Sequence, residues 1–200
     1  MRRTAADAAL TREAITRAAL RRFARDGWDG CSLVDVARGA GVTRGAVYHH
    51  FSGKMDLLTS ALVEQWEIRA RGLLALLDVE QPAAERLTGF LADYLRLLQE
   101  DGPFRDLIVV SILVAPRAMP LESGLKSKRE GLRPWTERID RALEEYGDLL
   151  RASRDASRLT IMTFIHGAAL TAAVSPAELP GTGQNRVIAE SVVEGLLRPR

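Results

Sequence analysis

Cysteine and histidine are scarce in this chain of 200 residues. It holds a single cysteine, Cys31, and three histidines, of which His49 and His50 are adjacent. One cysteine cannot form a disulfide within the chain, and such usage suits a reducing compartment. The few histidines show no metal-ligand spacing. We therefore expect a cytoplasmic protein with no metal and no cofactor.

Long apolar runs and catalytic motifs are missing as well. No apolar run reaches the roughly 18 residues of a membrane span, and the basic N-terminus lacks the apolar core of a signal peptide. The chain contains no GxSxG, no GKS or GKT loop and no HExxH. We expect neither a membrane protein nor an enzyme, and we assign no catalytic residue.

Charge is distributed unevenly. The net charge is +2, but residues 1–54 hold ten basic and five acidic residues, whereas residues 55–200 hold 18 and 21. A solvated charged surface would give the same excess at the N-terminus. The excess also suits contact with phosphate groups and favours a nucleic-acid partner.

The segment from Leu33 to Phe51 indicates two short helices joined by a tight turn. Apolar residues recur at helical spacing up to Ala40. Gly41 suits the left-handed end of the first helix, and Thr43 suits the N-cap of the second. This pattern is typical of a helix-turn-helix, whose second helix enters the DNA major groove.

Helical periodicity continues through the rest of the chain. We predict about nine helices, over residues 10–26, 33–40, 44–51, 54–78, 83–100, 104–114, 134–146, 154–174 and 185–197. Pro116 and Pro120 predict a loop, Pro134 predicts the start of a helix, and residues 121–131 could be helix or mobile loop. The expected fold is all-α, with a three-helix DNA-binding domain over residues 1–54. A larger effector-binding and dimerisation domain is expected over residues 55–200.

The first third of the chain resembles a known family. The segments TREAITRAALRRFARDG, SLVDVARGAGVTRGAVYHHF and KMDLL are similar to the DNA-binding domain of the TetR family of bacterial transcriptional regulators. The run GVTRGAVYHHF, followed by Lys54 and Leu57, is the most specific part. The resemblance implies a homodimer that binds a near-palindromic double-stranded operator. It also implies control by a small-molecule effector, most simply as a repressor.

Six residues are candidates for contact with DNA. Arg44 can bind guanine through two hydrogen bonds or contact a phosphate. Tyr48 resembles a family tyrosine that packs against backbone or a thymine methyl group, and Lys54 resembles a phosphate-binding lysine. The full set is Thr43, Arg44, Gly45, Tyr48, His49 and Lys54.

The second domain offers candidates for an effector site and a dimer interface. Large side chains could line a pocket or fill the core, and the sequence does not separate these roles. The effector candidates, which favour a mainly apolar ligand, are Trp66, Phe104, Trp135, Met162, Phe164 and His166. The family pairs its last two helices between subunits, which implies an interface at Gly167, Ala168, Ala172, Val192 and Leu196.

Two alternatives remain. The protein could be an activator, or a regulator controlled by a protein partner. It could also be a helical binding protein or an enzyme that retains a relic helix-turn-helix. The presence of Arg44, Tyr48 and Lys54 together argues against a relic.

Overall fold

The computed structural model describes residues 5–199, and nearly all of them are helical. The α-helical segments are α1 (Ala5–Gly30), α2 (Leu33–Ala40), α3 (Arg44–His50), α4 (Lys54–Ala75), α5 (Ala83–Glu100), α6 (Gly102–Val109), α7 (Ala115–Ala118), α8 (Leu121–Glu144), α9 (Arg154–Val174) and α10 (Asn185–Gly195). A π-helical turn, Val110–Val114, joins α6 to α7 into one helix. Helix α1 is interrupted near its end at Gly27, whose backbone is not helical (φ 70°). The all-α prediction is confirmed.

The chain divides into two compact units. Unit 1 contains the chain up to Ile68 together with Asp106–Lys126, and unit 2 contains Arg69–Arg105 together with Ser127 onward. Helices α4, α6 and α8 each approach or cross a boundary between these ranges. The predicted functional division at residue 54 concerns DNA and effector binding and stays a prediction.

Unit 1 is built on an apolar core that the three N-terminal helices do not complete alone. Ile15 and Phe23 of α1, Val47 of α3 and Leu58 of α4 are fully buried in it. Val110 of the π-helical turn lies in the same cluster. A domain made only of the three helices over residues 5–50 buries too little surface to be stable, so α4 and the π-helical turn supply the remaining apolar surface.

Unit 2 has an aromatic core. The ring of Tyr94 meets Phe104 and Trp135 edge-on, with centroids 5.8 and 6.0 Å apart. Phe90 meets Trp135 in the same way at 5.6 Å. The Tyr94 hydroxyl donates to the carbonyl of Ile165 on α9 over 3.3 Å. Edge-to-face pairs add stability beyond area burial, so this cluster locks α5, α6, α8 and α9 together.

Two prolines, one predicted to mark a loop and the other to start a helix, lie within helical structure. Pro134 does not start a helix but lies inside α8, which begins at Leu121. Residues 121–131 are therefore helical. Trp135 and Ile139 on the following turn are buried, and their packing offsets the hydrogen bond that Pro134 removes.

Pro116 explains the π-helical turn. A proline in a helix lacks an N–H and its ring collides with the carbonyl four residues earlier. The chain widens there, and the N–H of Ala115 bonds to the carbonyl of Val110, five residues back. A π turn of this kind accommodates the proline without ending the helix. The break comes only at Met119 and Pro120.

Candidate nucleic-acid interface

Helices α2 and α3 form the predicted helix-turn-helix with its predicted caps. The Ser32 hydroxyl accepts a hydrogen bond from the Asp35 N–H over 3.2 Å. Gly41 adopts φ 68°, and the N–H of Val42 bonds to the carbonyl of Ala37 over 3.0 Å. This arrangement satisfies the last carbonyls of α2 and turns the chain sharply.

Helix α3 starts at its predicted cap and presents one side to solvent. The Thr43 hydroxyl accepts from the Ala46 N–H over 3.1 Å. Val47 is fully buried, whereas Arg44, Tyr48 and His49 are exposed. The exposed side is therefore the side that holds the predicted base-reading residues.

Arg44 and Tyr48 lie together on this exposed side, one helical turn apart. The guanidinium carbon lies 5.2 Å from the centre of the Tyr48 ring. Its Nη2 donates to the Tyr48 hydroxyl over 3.3 Å. Stacking holds the arginine against the helix and narrows its choice of conformations.

Gly45 leaves open space on the same side. A methyl group added there would meet only the Thr43 hydroxyl, at 3.8 Å, which is an ordinary contact. Packing within the protein therefore does not require glycine at this position. Glycine instead allows another molecule to approach the α3 backbone closely.

Lys54, at the start of α4, contacts Trp28 and can still bind an anion. Its ammonium donates to the carbonyl of Trp28 and lies 4.4 Å from the centre of the Trp28 ring. An ammonium group has three donors, so this contact leaves capacity for a phosphate. Lys54 is half-buried, and its contact with Trp28 restricts the positions that the ammonium group can take.

Sequence reasoning missed Arg12 of α1. Its Nη1 donates to the carbonyl of His50 over 3.2 Å, and its guanidinium lies 4.4 Å from the centre of the Phe51 ring. Its Nε donates to Glu64 of α4 over 2.6 Å. The partners lie 38 and 52 residues away, so no local pattern could reveal them.

Three titratable groups around the helix-turn-helix have pKa values shifted by local hydrogen bonds or by burial. The Ser32 hydroxyl bonds to Asp35 and lowers the pKa of that carboxyl. The Ser52 N–H, which donates to Asp56 over 2.8 Å, lowers the pKa of Asp56. Burial raises the pKa of Cys31 to about 11. A buried, protonated thiol is a poor nucleophile, which agrees with giving Cys31 no chemical role.

The predicted effector residues do not form one group. Phe104, Trp135 and Met162 are buried in unit 2, Phe164 is half-buried and His166 is exposed. Trp66 lies in unit 1, where its indole N–H donates to Ser111 over 3.0 Å.

Two concavities stand out among the described residues, and the predicted effector residues line neither. One, of about 540 Å³, lies in unit 2 between the end of α8 and the start of α9, beside Leu143, Arg151 and Arg198. The other, of about 310 Å³, lies in unit 1 beside Arg12 and Glu64. The aromatic side chains of unit 2 fill their space and pack as core.

The predicted interface residues fall on different sides of α9 and α10. Gly167 is exposed, and Ala168 and Val192 are half-buried. Ala172 and Leu196 are only 4% and 5% exposed, so they pack inside the protomer. The small-residue pattern identifies a helix that packs closely, but here the neighbour of these two side chains is the same chain.

The other side of α9 is apolar and uncovered. Leu170 and Val174 are 51% and 61% exposed, and Val187 of α10 is 61% exposed. Among the described residues, α9 is the one helix long and apolar enough to cross a membrane by length and composition. The core helix of a soluble protein passes the same test, so the test does not identify what covers this side.

The comparisons with known proteins agree with the helix-turn-helix. A family model described as bacterial regulatory proteins of the tetR family matches residues 15–61. The HTH-type transcriptional regulator CymR of Pseudomonas putida is 32% identical over 161 residues, covering 78% of this chain and 73% of CymR. This chain belongs to the TetR family.

Other similarities are shorter or concern the fold alone. The HTH-type transcriptional regulator SrpR of Pseudomonas putida is 48% identical over 64 residues, covering 32% of this chain and 30% of SrpR. The match therefore spans less than a third of that relative. The structure of NalD, the secondary repressor of the MexAB-OprM multidrug efflux pump in Pseudomonas aeruginosa, superimposes with a TM-score of 0.75 at 22% identity. That alignment covers 97% of this chain and all of NalD.

Proposed function

We propose that this protein is a dimeric, effector-responsive transcriptional repressor that reads a near-palindromic operator. The observation that carries the proposal is the exposed side of α3, where Arg44, Tyr48 and His49 project beside the open backbone of Gly45. A capped recognition helix with this surface suits the major groove. The named relatives are transcriptional regulators, which favours a regulator over an enzyme.

Four of the six predicted DNA contacts divide into two kinds. Arg44 and His49 are suited to base edges. Thr43 and Lys54 are suited to phosphates, because Thr43 caps the positive end of α3 and Lys54 carries a charge. Tyr48 supports Arg44 and contacts backbone or a thymine methyl group. The basic excess of residues 1–54 strengthens binding to any duplex.

A second copy of the chain is the proposed cover for the uncovered side of α9. Thr163, His166, Gly167, Leu170 and Val174 share that side. Gly167 has open space around it, so another helix can approach closely there. Two-fold pairing would present two α3 helices to the two halves of an operator. We propose that protein rather than lipid covers this side, and that the regulator acts in the cytoplasm.

The proposed effector is mainly apolar and binds within unit 2. Phe104, Trp135 and Met162 line the interior there. Because their side chains already fill the core, binding must open this cluster, and the effector must prefer one of two states to regulate DNA binding. A protein partner remains the second means of control, since the described concavities avoid these residues.

The test begins with selection of a duplex by the protein from a random library. Arg44→Ala should weaken binding of the selected duplex by about 1–3 kcal/mol and relax base preference at one position in each half-site. Lys54→Met keeps the side-chain stem beside Trp28. It should reduce the steepness of the plot of log affinity against log salt concentration by about 0.9 per lost phosphate contact.

Arg96→Ala is the control for lost positive charge, because Arg96 of α5 pairs with Asp93 and Glu100 in unit 2. It should leave DNA binding unchanged. If the protein selects no duplex, or if both Arg44→Ala and Lys54→Met bind like wild type, the proposed function is wrong.

A further inference from the structure

Arg12 of α1 makes three contacts, which involve the end of α3, the residue after it and α4. It extends from α1, donates to the carbonyl of His50 at the end of α3, and stacks on the ring of Phe51 just beyond. Its Nε and Nη2 both approach Oε1 of Glu64 on α4 at 2.6 Å. All of these groups lie in unit 1. We infer that Arg12 is a positioning residue that couples α4 to the recognition helix and thereby sets specificity for DNA.

We call Arg12 and its partners His50, Phe51 and Glu64 the Arg12 node. The geometry of these contacts requires arginine. A guanidinium is planar, so it can stack on Phe51 while its edge donates to a carbonyl and to a carboxylate. The carbonyl of His50 lies in the last turn of α3, at the negative end of the helix dipole, where a cation is favourable. Lysine would keep the charge but would lose the stack and the geometry of several donors.

Stability alone does not account for the node. The side chains of Arg12 and Glu64 are 35% and 29% exposed, and partly exposed ion pairs add little to the free energy of unfolding. We expect the node to matter more for the position of α3 than for stability, because Phe51 is buried and directly follows α3. Moving Arg12 therefore moves the end of the recognition helix.

The position of Glu64 gives the node its role. Helix α4 starts at Lys54, carries Glu64 nearly three turns later and continues to Ala75, beyond the residues of unit 1. The turn between α3 and α4 is held separately, because Ser52 donates to Asp56 through both its N–H and its hydroxyl. A shift or rotation of α4 would therefore pull on Arg12 through Glu64 and tilt α3 about that turn.

The inference rests on the proposed function and is tested with the full-length protein. The probes are the duplex that wild type selects and a scrambled duplex of equal length and composition. Arg12→Lys keeps the charge, and Glu64→Gln keeps the shape of the α4 partner. The matched control is Arg17→Lys, which changes an ion pair of the same helix, with Glu13, that does not reach α3.

We expect Arg12→Lys and Glu64→Gln each to lose about 10-fold in affinity for the selected duplex, because a misplaced recognition helix loses base contacts. Affinity for the scrambled duplex should change less than about twofold, and the salt slope of Arg12→Lys should stay that of wild type, because phosphate contacts are kept. The double variant should be no weaker than the single ones, because both break one coupling. Arg17→Lys should behave as wild type.

A second readout does not involve DNA. Hydrogen exchange of the Phe51 N–H, which bonds to the Val47 carbonyl over 2.9 Å, should accelerate in Arg12→Lys but not in Arg17→Lys. Unchanged exchange together with an unchanged preference for the selected duplex overturns the inference. Equal losses on both duplexes with a smaller salt slope also overturn it, because Arg12 would then be a phosphate contact. A wild-type protein without any preferred duplex overturns the proposed function first and the inference with it.

Discussion

Units 1 and 2 are both made of capped helices around an apolar core, yet their candidate sites differ in kind. In unit 1 the candidate DNA contacts lie within twelve residues, Thr43 to Lys54, and most of them are exposed. In unit 2 the candidate effector residues come from several helices, and three of them are buried. The first surface lies on α3, its cap residue Thr43 and the first residue of α4, whereas the proposed effector site would require the core of unit 2 to rearrange.

The comparison is tested most strongly in the core of unit 2. Phe104→Ala should lower the free energy of unfolding by about 3–5 kcal/mol, because it removes a fully buried ring that Tyr94 meets edge-on. Urea unfolding followed by circular dichroism measures the change. Leu149→Ala, at a leucine 64% exposed, is the control. A loss below about 0.5 kcal/mol, the size typical of surface positions, would show that Phe104 lines a site and is not core.

The next largest effect concerns the uncovered side of α9. Gly167→Trp should weaken dimerisation by about 1–3 kcal/mol or more, because the ring would occupy the space of the second copy. Inside the protomer that space is open, so the fold should survive. Sedimentation at several concentrations measures the change. Gly72→Trp is the matched control, because Gly72 is also a helical glycine with open space around it.

Two outcomes would redirect the dimer proposal. If Gly167→Trp sediments as wild type, the interface lies elsewhere. If wild type is monomeric but binds lipid vesicles through α9, the apolar side of that helix is a membrane contact instead.

These differences explain how far the sequence leads. Gly41 and Thr43 were predicted correctly as caps because a cap depends on neighbours within about four residues. Pro116 and Pro134 were misjudged because packing of distant residues overrides the local rule. Helix α8, for example, continues through Pro134 so that Trp135 can pack against Phe90.

The same reasoning applies to the sites. Arg44 and Tyr48 belong to one helical turn, so their proximity follows from spacing alone. Arg12 meets residues far along the chain, which spacing cannot show. On α9, apolar residues occur all round the helix, and only the structure separates the inner Ala172 from the outer Leu170.

A smaller effect is expected when equivalent N-cap residues of the two units are replaced. Thr43 and Ser153 accept from the N–H three residues on, over 3.1 and 3.3 Å. Thr43→Ala and Ser153→Ala should each lower the free energy of unfolding by about 1 kcal/mol. Only Thr43→Ala should also weaken DNA binding, because Thr43 is itself a proposed phosphate contact. Equal DNA affinity for both variants would remove Thr43 from the interface.

The smallest effect concerns His166 and pH. Neighbouring atoms shield part of the exposed His166 ring from water and lower its pKa below the ordinary value of 6.5, and the charge of Lys128 adds to this. The unfolded chain therefore takes up the proton more readily than the folded chain. The contribution of His166 to stability is complete above pH 6.5 and is lost as the pH falls through the lower pKa of the folded state.

This pKa also reports on the dimer face, because a second copy over His166 would remove more water from the ring. Titration of its Cε1–H resonance, assigned with His166→Gln, should give a lower pKa in the dimer than in the Gly167→Trp monomer. Lys128→Gln should raise the pKa in both forms, since it removes a nearby positive charge. Equal values in dimer and monomer would place His166 outside the interface and leave Leu170 and Val174 as the residues to test.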